Sequence, residues 1–152
     1  MPQTFGVIYL HVIFSTKGRE PFLANKDMRT RMHAYLSGTL ARLDCPAVII
    51  GGTSDHVHAL FELSRDKTVS DVVRDLKRSS SHWAKKQGSI VAKKFAWQHG
   101  YAAFSVSVSG LSRTAKYIDL QREHHRKVGF QEEFRAFLRK HDAEFDERYM
   151  WD

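Results

Sequence analysis

Cysteine is almost missing: Cys45 is the only one among 152 residues. A lone thiol excludes an internal disulfide and a cysteine-based zinc site, and it fits a reducing compartment. Long apolar runs are missing too; none approaches the length of a membrane span. The first residues hold no basic stretch leading into an apolar run, so no secretory leader is expected. These absences predict a cytoplasmic protein with no membrane partner. Repeats, low-complexity tracts and linkers are also lacking, and the expectation is one domain over residues 1–152. Acidic charge is in deficit: 17 Asp and Glu face 24 Lys and Arg, a formal net charge of +7. Such an excess favours polyanionic partners, nucleic acid first, although solubility alone accounts for it equally well. Hydrophobic residues at 42% and charged residues at 27% match a soluble globular chain, long enough to bury a core without cross-links.

Periodicity supplies the elements. Gly6 to Phe14 (GVIYLHVIF) is rich in β-branched and aromatic residues and reads as a strand. After a polar turn from Lys17 to Pro21, Asn25 caps a helix from Lys26 to about Leu43. Its apolar face is Met28, Met32, Tyr35, Leu36, Leu40 and Leu43, at helical spacing. Ala47 to Ile50 is a short strand, Gly51 to Ser54 the turn after it, and His56 to Leu63 a third strand. Thr68 and Asp71 open the next helix, close to a capping box. Its buried stripe is Val69, Val72, Val73, Leu76, Ser80 and Trp83, and Gly88 stops it. A basic, aromatic stretch from Lys93 to Tyr101 follows. Phe104 to Ser109 alternates as a fourth strand. Helices are then expected over Leu111 to Lys127 and about Gln131 to His141, before a tail whose Tyr149 and Trp151 pack back on the body. A helix joins strands 1 and 2, and another joins strands 3 and 4. That is the βαββαβ pattern of an α+β, ferredoxin-like (RRM-like) antiparallel sheet, here with additional C-terminal helices. Strand 1 should lie between strands 3 and 4.

Two segments carry candidate chemistry. Alternate residues of a strand share a face, so Val57, Ala59, Phe61 and Leu63 face the core while His56 and His58 share the other side. Their α-carbons would be roughly 6.7 Å apart, close enough for two imidazoles to converge on one divalent ion. The bland alternative is two histidines on a solvated face. On the third expected helix, Leu111, Ala115 and Ile118 form the apolar stripe. Tyr117 and Gln121, at i and i+4, stack on a neighbouring face, with His124 and His125 continuing near it. The alternative for Tyr117 is an amphipathic tyrosine at the core edge. A phenol with a pKa of ~10 is only about 0.1% ionised at neutral pH, so as a nucleophile it needs a nearby cation or base.

Taken together, a His-x-His strand followed by a Tyr-x-x-x-Gln helix resembles the HUH single-tyrosine transposases, the small enzymes of insertion sequences that move as single-stranded DNA. Further stretches fit in order: Tyr9-Leu10-His11-Val12-Ile13-Phe14, Lys17-Gly18-Arg19, Asp55-His56-Val57-His58, Val69-Ser70-Asp71-Val72-Val73 before Leu76-Lys77, and Trp97-Gln98-His99-Gly100-Tyr101. One departure is Ser54, where family members often have Pro before the Asp of the histidine motif; it touches only the turn. The resemblance implies that His56 and His58 ligate Mg²⁺ or Mn²⁺, with Gln121 as a third ligand from the tyrosine helix. It implies that Tyr117 attacks a phosphodiester, giving a 5′-phosphotyrosine and a free 3′-hydroxyl that later reverses the reaction without ATP. It also implies a homodimer in which each tyrosine helix completes the partner's site, acting on single-stranded or hairpin DNA at element ends in a bacterial or archaeal cell.

Other residues are open to two readings. His11 points away from the Ile8, Leu10, Val12 and Phe14 face and can support His58, touch DNA, or simply pack. Lys77, Arg78, Lys85, Lys86, Lys93 and Lys94 form a candidate phosphate track or a solvated face, and Lys17 and Arg19 are further candidate DNA contacts. Trp97, Tyr101 and Phe104 can stack on unpaired bases or fill the core. Three rival functions remain. A ferredoxin-like RNA-binding module would need neither the histidine pair nor Tyr117. A repeat-associated relative would keep the chemistry on another DNA target. A metal hydrolase using water would form no phosphotyrosine.

Overall fold

The computed structural model describes residues 3–121 and 129–141. Its elements are β1 (Tyr9–Ser15), α1 (Lys26–Arg42), β2 (Ala47–Gly52), β3 (His56–Glu62), α2 (Val69–Lys85), α3 (Ile90–Lys93), β4 (Ala102–Val106), α4 (Leu111–Asp119) and α5 (Phe130–Lys140). The four strands form one antiparallel sheet in the order β2-β3-β1-β4. This is the ferredoxin-like α+β arrangement, with β1 between β3 and β4. His124, His125, Tyr149, Trp151 and the expected helix beyond Gln121 lie outside the described residues.

The capping residues act locally. The Asn25 side chain accepts from Met28 N, and Thr68 accepts from Asp71 N. Each satisfies a backbone donor that the first helical turn leaves without a partner. The sheet then separates two environments. On one face, Leu10, Val12 and Phe14 of β1 and Val57, Ala59 and Phe61 of β3 meet Met32, Leu36 and Leu40 of α1 and Val72, Val73 and Leu76 of α2. Burying each of the larger of these side chains contributes about 1.5–3 kcal/mol. On the other face, Ile13, Ala102 and Phe104 pack beneath Phe134, Phe137 and Leu138 of α5. His11, His56, His58 and Leu60 share that second face by alternation, and all four are buried.

Several boundaries differ from the sequence expectation. β1 begins at Tyr9, and Ile8 is exposed. Gly51 and Gly52 are not a turn but the last residues of β2, opposite His58 and Val57. A Cβ on Gly51 would come within 2.6 Å of Ile118 O and 2.8 Å of its Cγ2. Glycine here lets α4 settle against the sheet. α3 precedes the basic stretch and meets it at Lys93, and Ser89 caps this helix by accepting from Ala92 N. β4 stops at Val106 because Ser107 accepts from Gly110 N and closes a 3₁₀ turn.

Candidate active site

His56 and His58 lie side by side on the face covered by α4 and α5, ring centroids 5.1 Å apart, and neither is accessible. Each has a different outer partner. His56 donates from Nδ1 to Asp55 Oδ1 at 2.8 Å, and Thr53 Oγ1 lies 2.9 Å from the same nitrogen. Burial alone would raise the Asp55 pKa, but hydrogen bonds from His56 and Thr53 bring it below its usual value. The carboxylate therefore only accepts, which leaves His56 Nε2 facing inward, 3.4 Å from Gln121 Oε1. His58 Nδ1 lies 2.8 Å from His11 Nε2. Strand register explains this contact: His11 is opposite Leu60 and His58 opposite Ile13, so the two imidazoles are diagonal neighbours. Burial, followed by the charge of His58, holds the His11 pKa down at about 3.

Tyr117 projects from α4 into the same cluster. Its ring centroid is 5.9 Å from that of His58 and 5.4 Å from that of Phe137. Burial, then the hydrogen bond and charge of Glu133, push its pKa above the usual value, and Gln121 pulls part of the way back. Gln121 is fully buried, yet it is not part of the same unbroken helix. α4 ends at Asp119 with Leu120 as its C-cap, and Gln121 Nε2 donates back to Tyr117 O at 3.4 Å.

Glu133 was not among the residues expected from the sequence. It sits in the first turn of α5, 3% exposed, with Oε1 3.2 Å from His58 Nε2. Its signal was nevertheless present: Glu133 falls three residues after Phe130 and four before Phe137, on the apolar stripe of an amphipathic helix. A carboxylate on such a stripe is rarely buried without a partner. His56, His58 and Glu133 each offer one ligand atom, all within 4.8 Å of one another. With the amide oxygen of Gln121 beside them, this mixed nitrogen and oxygen set, free of thiolate, fits a borderline or hard divalent cation.

Not every expected residue belongs to the site. His11 is 2% exposed, so its expected role as a DNA contact is corrected: its imidazole is engaged with His58 beneath the surface. Lys77 also departs from the phosphate track. Its Nζ donates to the carbonyls of Gln98 and Gly100, and burial lowers its pKa to about 8. Lys17, Arg19, Arg78, Lys85, Lys86, Lys93 and Lys94 are exposed. Trp97 and Phe104 are buried, and Trp97 Nε1 donates to Ser80 Oγ at 2.8 Å, whereas Tyr101 is exposed. A cleft of about 420 Å³ opens between α4 and α5, lined by Arg113, Thr114, Tyr117, Glu133, Phe137 and Lys140 among others.

Comparison with known proteins places this arrangement. Among solved structures, the fold is similar to a candidate transposase from Deinococcus radiodurans R1, with TM-score 0.57, 21% identity, and coverage of 80% of this chain and 98% of that one. It is also similar to a REP-associated tyrosine transposase bound to a REP hairpin, with TM-score 0.61, 12% identity, and coverage of 84% of this chain and 74% of that one. No curated protein matches the sequence. The family described as "Transposase IS200 like" matches residues 4–121, from ahead of β1 through Tyr117 to Gln121. The chain belongs to the IS200-like transposase family.

Proposed function

We propose that this protein cuts and rejoins single-stranded DNA through Tyr117, assisted by Mg²⁺ or Mn²⁺ at His56, His58 and Glu133, with Gln121 as a further ligand. The observation that carries this reading is the meeting of a phenol, two imidazoles and a carboxylate from β3, α4 and α5 in one buried cluster. Tyr117 Oη attacks the scissile phosphorus while its proton passes to a base, Glu133 being the carboxylate that lines the same cleft. The new O–P bond replaces the bond to the 3′ oxygen. That oxygen leaves with the electron pair and takes up a proton. The products are a 5′-phosphotyrosine and a 3′-hydroxyl, and attack by a 3′-hydroxyl restores a DNA strand and the phenol. A bound cation would polarise the phosphate and stabilise charge on the leaving oxygen. Arg113 and Lys140, at the cleft beside Tyr117, supply positive charge for the flanking phosphates.

Hairpin DNA at the ends of a mobile element is the preferred substrate in this reading. The structural neighbour bound to a REP hairpin supports it, and also supports the second reading, a host protein acting on dispersed repeats. A homodimer exchanging α4 between copies is part of the proposal, and Tyr117 would then leave its contact with its own His58. The decisive test uses a labelled single-stranded hairpin substrate with Mg²⁺ or Mn²⁺ and denaturing gels. The unaltered chain should form a covalent adduct, and Tyr117→Phe should bind the DNA yet form none. Cleavage by the unaltered chain without any adduct would establish water as the nucleophile instead.

A further inference from the structure

We propose that His11 is a positioning residue for the metal site, and that its hydrogen bond to His58 reverses direction when a divalent cation binds. This rests on the metal-site reading above. The geometry is a row of three groups: His11 Nε2 lies 2.8 Å from His58 Nδ1, and across the ring His58 Nε2 lies 3.2 Å from Glu133 Oε1. A neutral imidazole carries one N–H and one lone pair. Two nitrogens at hydrogen-bond distance need one donor and one acceptor. With both rings neutral and Glu133 ionised, the row therefore has two consistent arrangements. Without a cation, His58 Nε2 keeps its proton facing the Glu133 carboxylate, and His58 Nδ1 accepts from His11 Nε2–H. With a cation on His58, Nε2 must offer its lone pair, so the proton sits on Nδ1 and His11 Nε2 accepts. Each ring keeps one proton, moved from Nε2 to Nδ1, and the pair neither gains nor loses one.

Histidine serves both arrangements from one atom, as a hydroxyl also can. A carboxylate would only accept and a lysine would only donate. His56 shows the contrast: its partner Asp55 is an acceptor, so His56 is held in the ligand tautomer from the start. His11 is buried, with the Phe137 ring edge-on at 5.2 Å, so its imidazole meets His58 away from solvent.

Long-range ¹H–¹⁵N correlation of the imidazoles in the full chain, with and without Mg²⁺, tests the proposal directly. His11 and His58 should be protonated at Nε2 without the cation and at Nδ1 with it, while His56 stays protonated at Nδ1 throughout. Magnesium binding that leaves the His11 and His58 tautomers unchanged overturns the proposal alone. Absence of Mg²⁺ and Mn²⁺ binding overturns the metal-site reading and this proposal with it. Mn²⁺ affinity, read by electron paramagnetic resonance, should fall about 10- to 100-fold in His11→Phe. His11→Gln, whose amide can turn either end to His58, should recover part of the loss. Unweakened binding by a folded His11→Phe protein, or by His11→Gln if the Phe variant does not fold, combined with fixed tautomers, refutes the role.

Discussion

His33 and His11 both lose basicity through burial, to pKa values of about 4 and about 3. Arg29 adds to the effect at His33. Between these values and the usual 6.5, the unfolded chain binds protons that the folded chain does not, so folding stability falls as pH drops below about 6.5. The slope per group is on the order of 1 kcal/mol per pH unit. Urea unfolding at pH 7 and pH 5 should show this loss, and His33→Gln should make the difference smaller; an unchanged difference would show that His33 does not titrate as described. The same residue scale shows what was legible in the sequence. Alternation along β3 put His56 and His58 on one face, as found. Glu133 was not legible because its neighbours come from elements far away in sequence: α5 alone says that a carboxylate lies on an apolar stripe, but only the fold says that His58 lies underneath.

Among the elements, α4 depends on β2. Ile118 sits directly over Gly51, where no Cβ intervenes. Gly51→Ala must push α4 outward, and overpacking of this kind costs about 1–3 kcal/mol. Tyr117 shares the displaced helix, and misplacement by about 1 Å can slow a reaction by on the order of 10²-fold. Gly51→Ala should therefore lose far more adduct formation than stability, measured by single-turnover kinetics beside thermal unfolding. Equal adduct rates in the variant would mean that α4 need not be seated there. Sequence periodicity located α1, α2 and their caps because those signals are local. It missed α3, four residues long and defined by one cap, and it ran the tyrosine helix past Leu120 because nothing in the composition marks that C-cap. Gly51 and Gly52 were read as a turn for the usual reason, their freedom, when the first of them serves close approach.

At the scale of the whole molecule, the positive charge is the feature that needs a partner. If Lys85 and Lys86, exposed at the end of α2, contact a single strand, each phosphate neutralised contributes about 0.7 to the salt slope of binding. Replacing both with Ala should lower that slope by about 1.4, in affinity titrations across salt concentrations at fixed pH. An unaltered slope would move the DNA track elsewhere, towards Lys17 and Arg19 or the cleft cations. The strand order was legible because helix-connected strand pairs leave few topologies. How α5 covers the sheet was not, since it rests on packing between Phe137, His11 and Phe104. The two-sided sheet also has a consequence for mutation. Along β1 and β3, every second residue serves packing and the residues between them face the cluster, so the strands carry two interleaved messages. Deleting a single residue from the middle of β3 leaves the genetic reading frame intact but exchanges the two messages from that point on. An in-frame loss of one codon at Ala59 would act on this molecule as a frameshift in space.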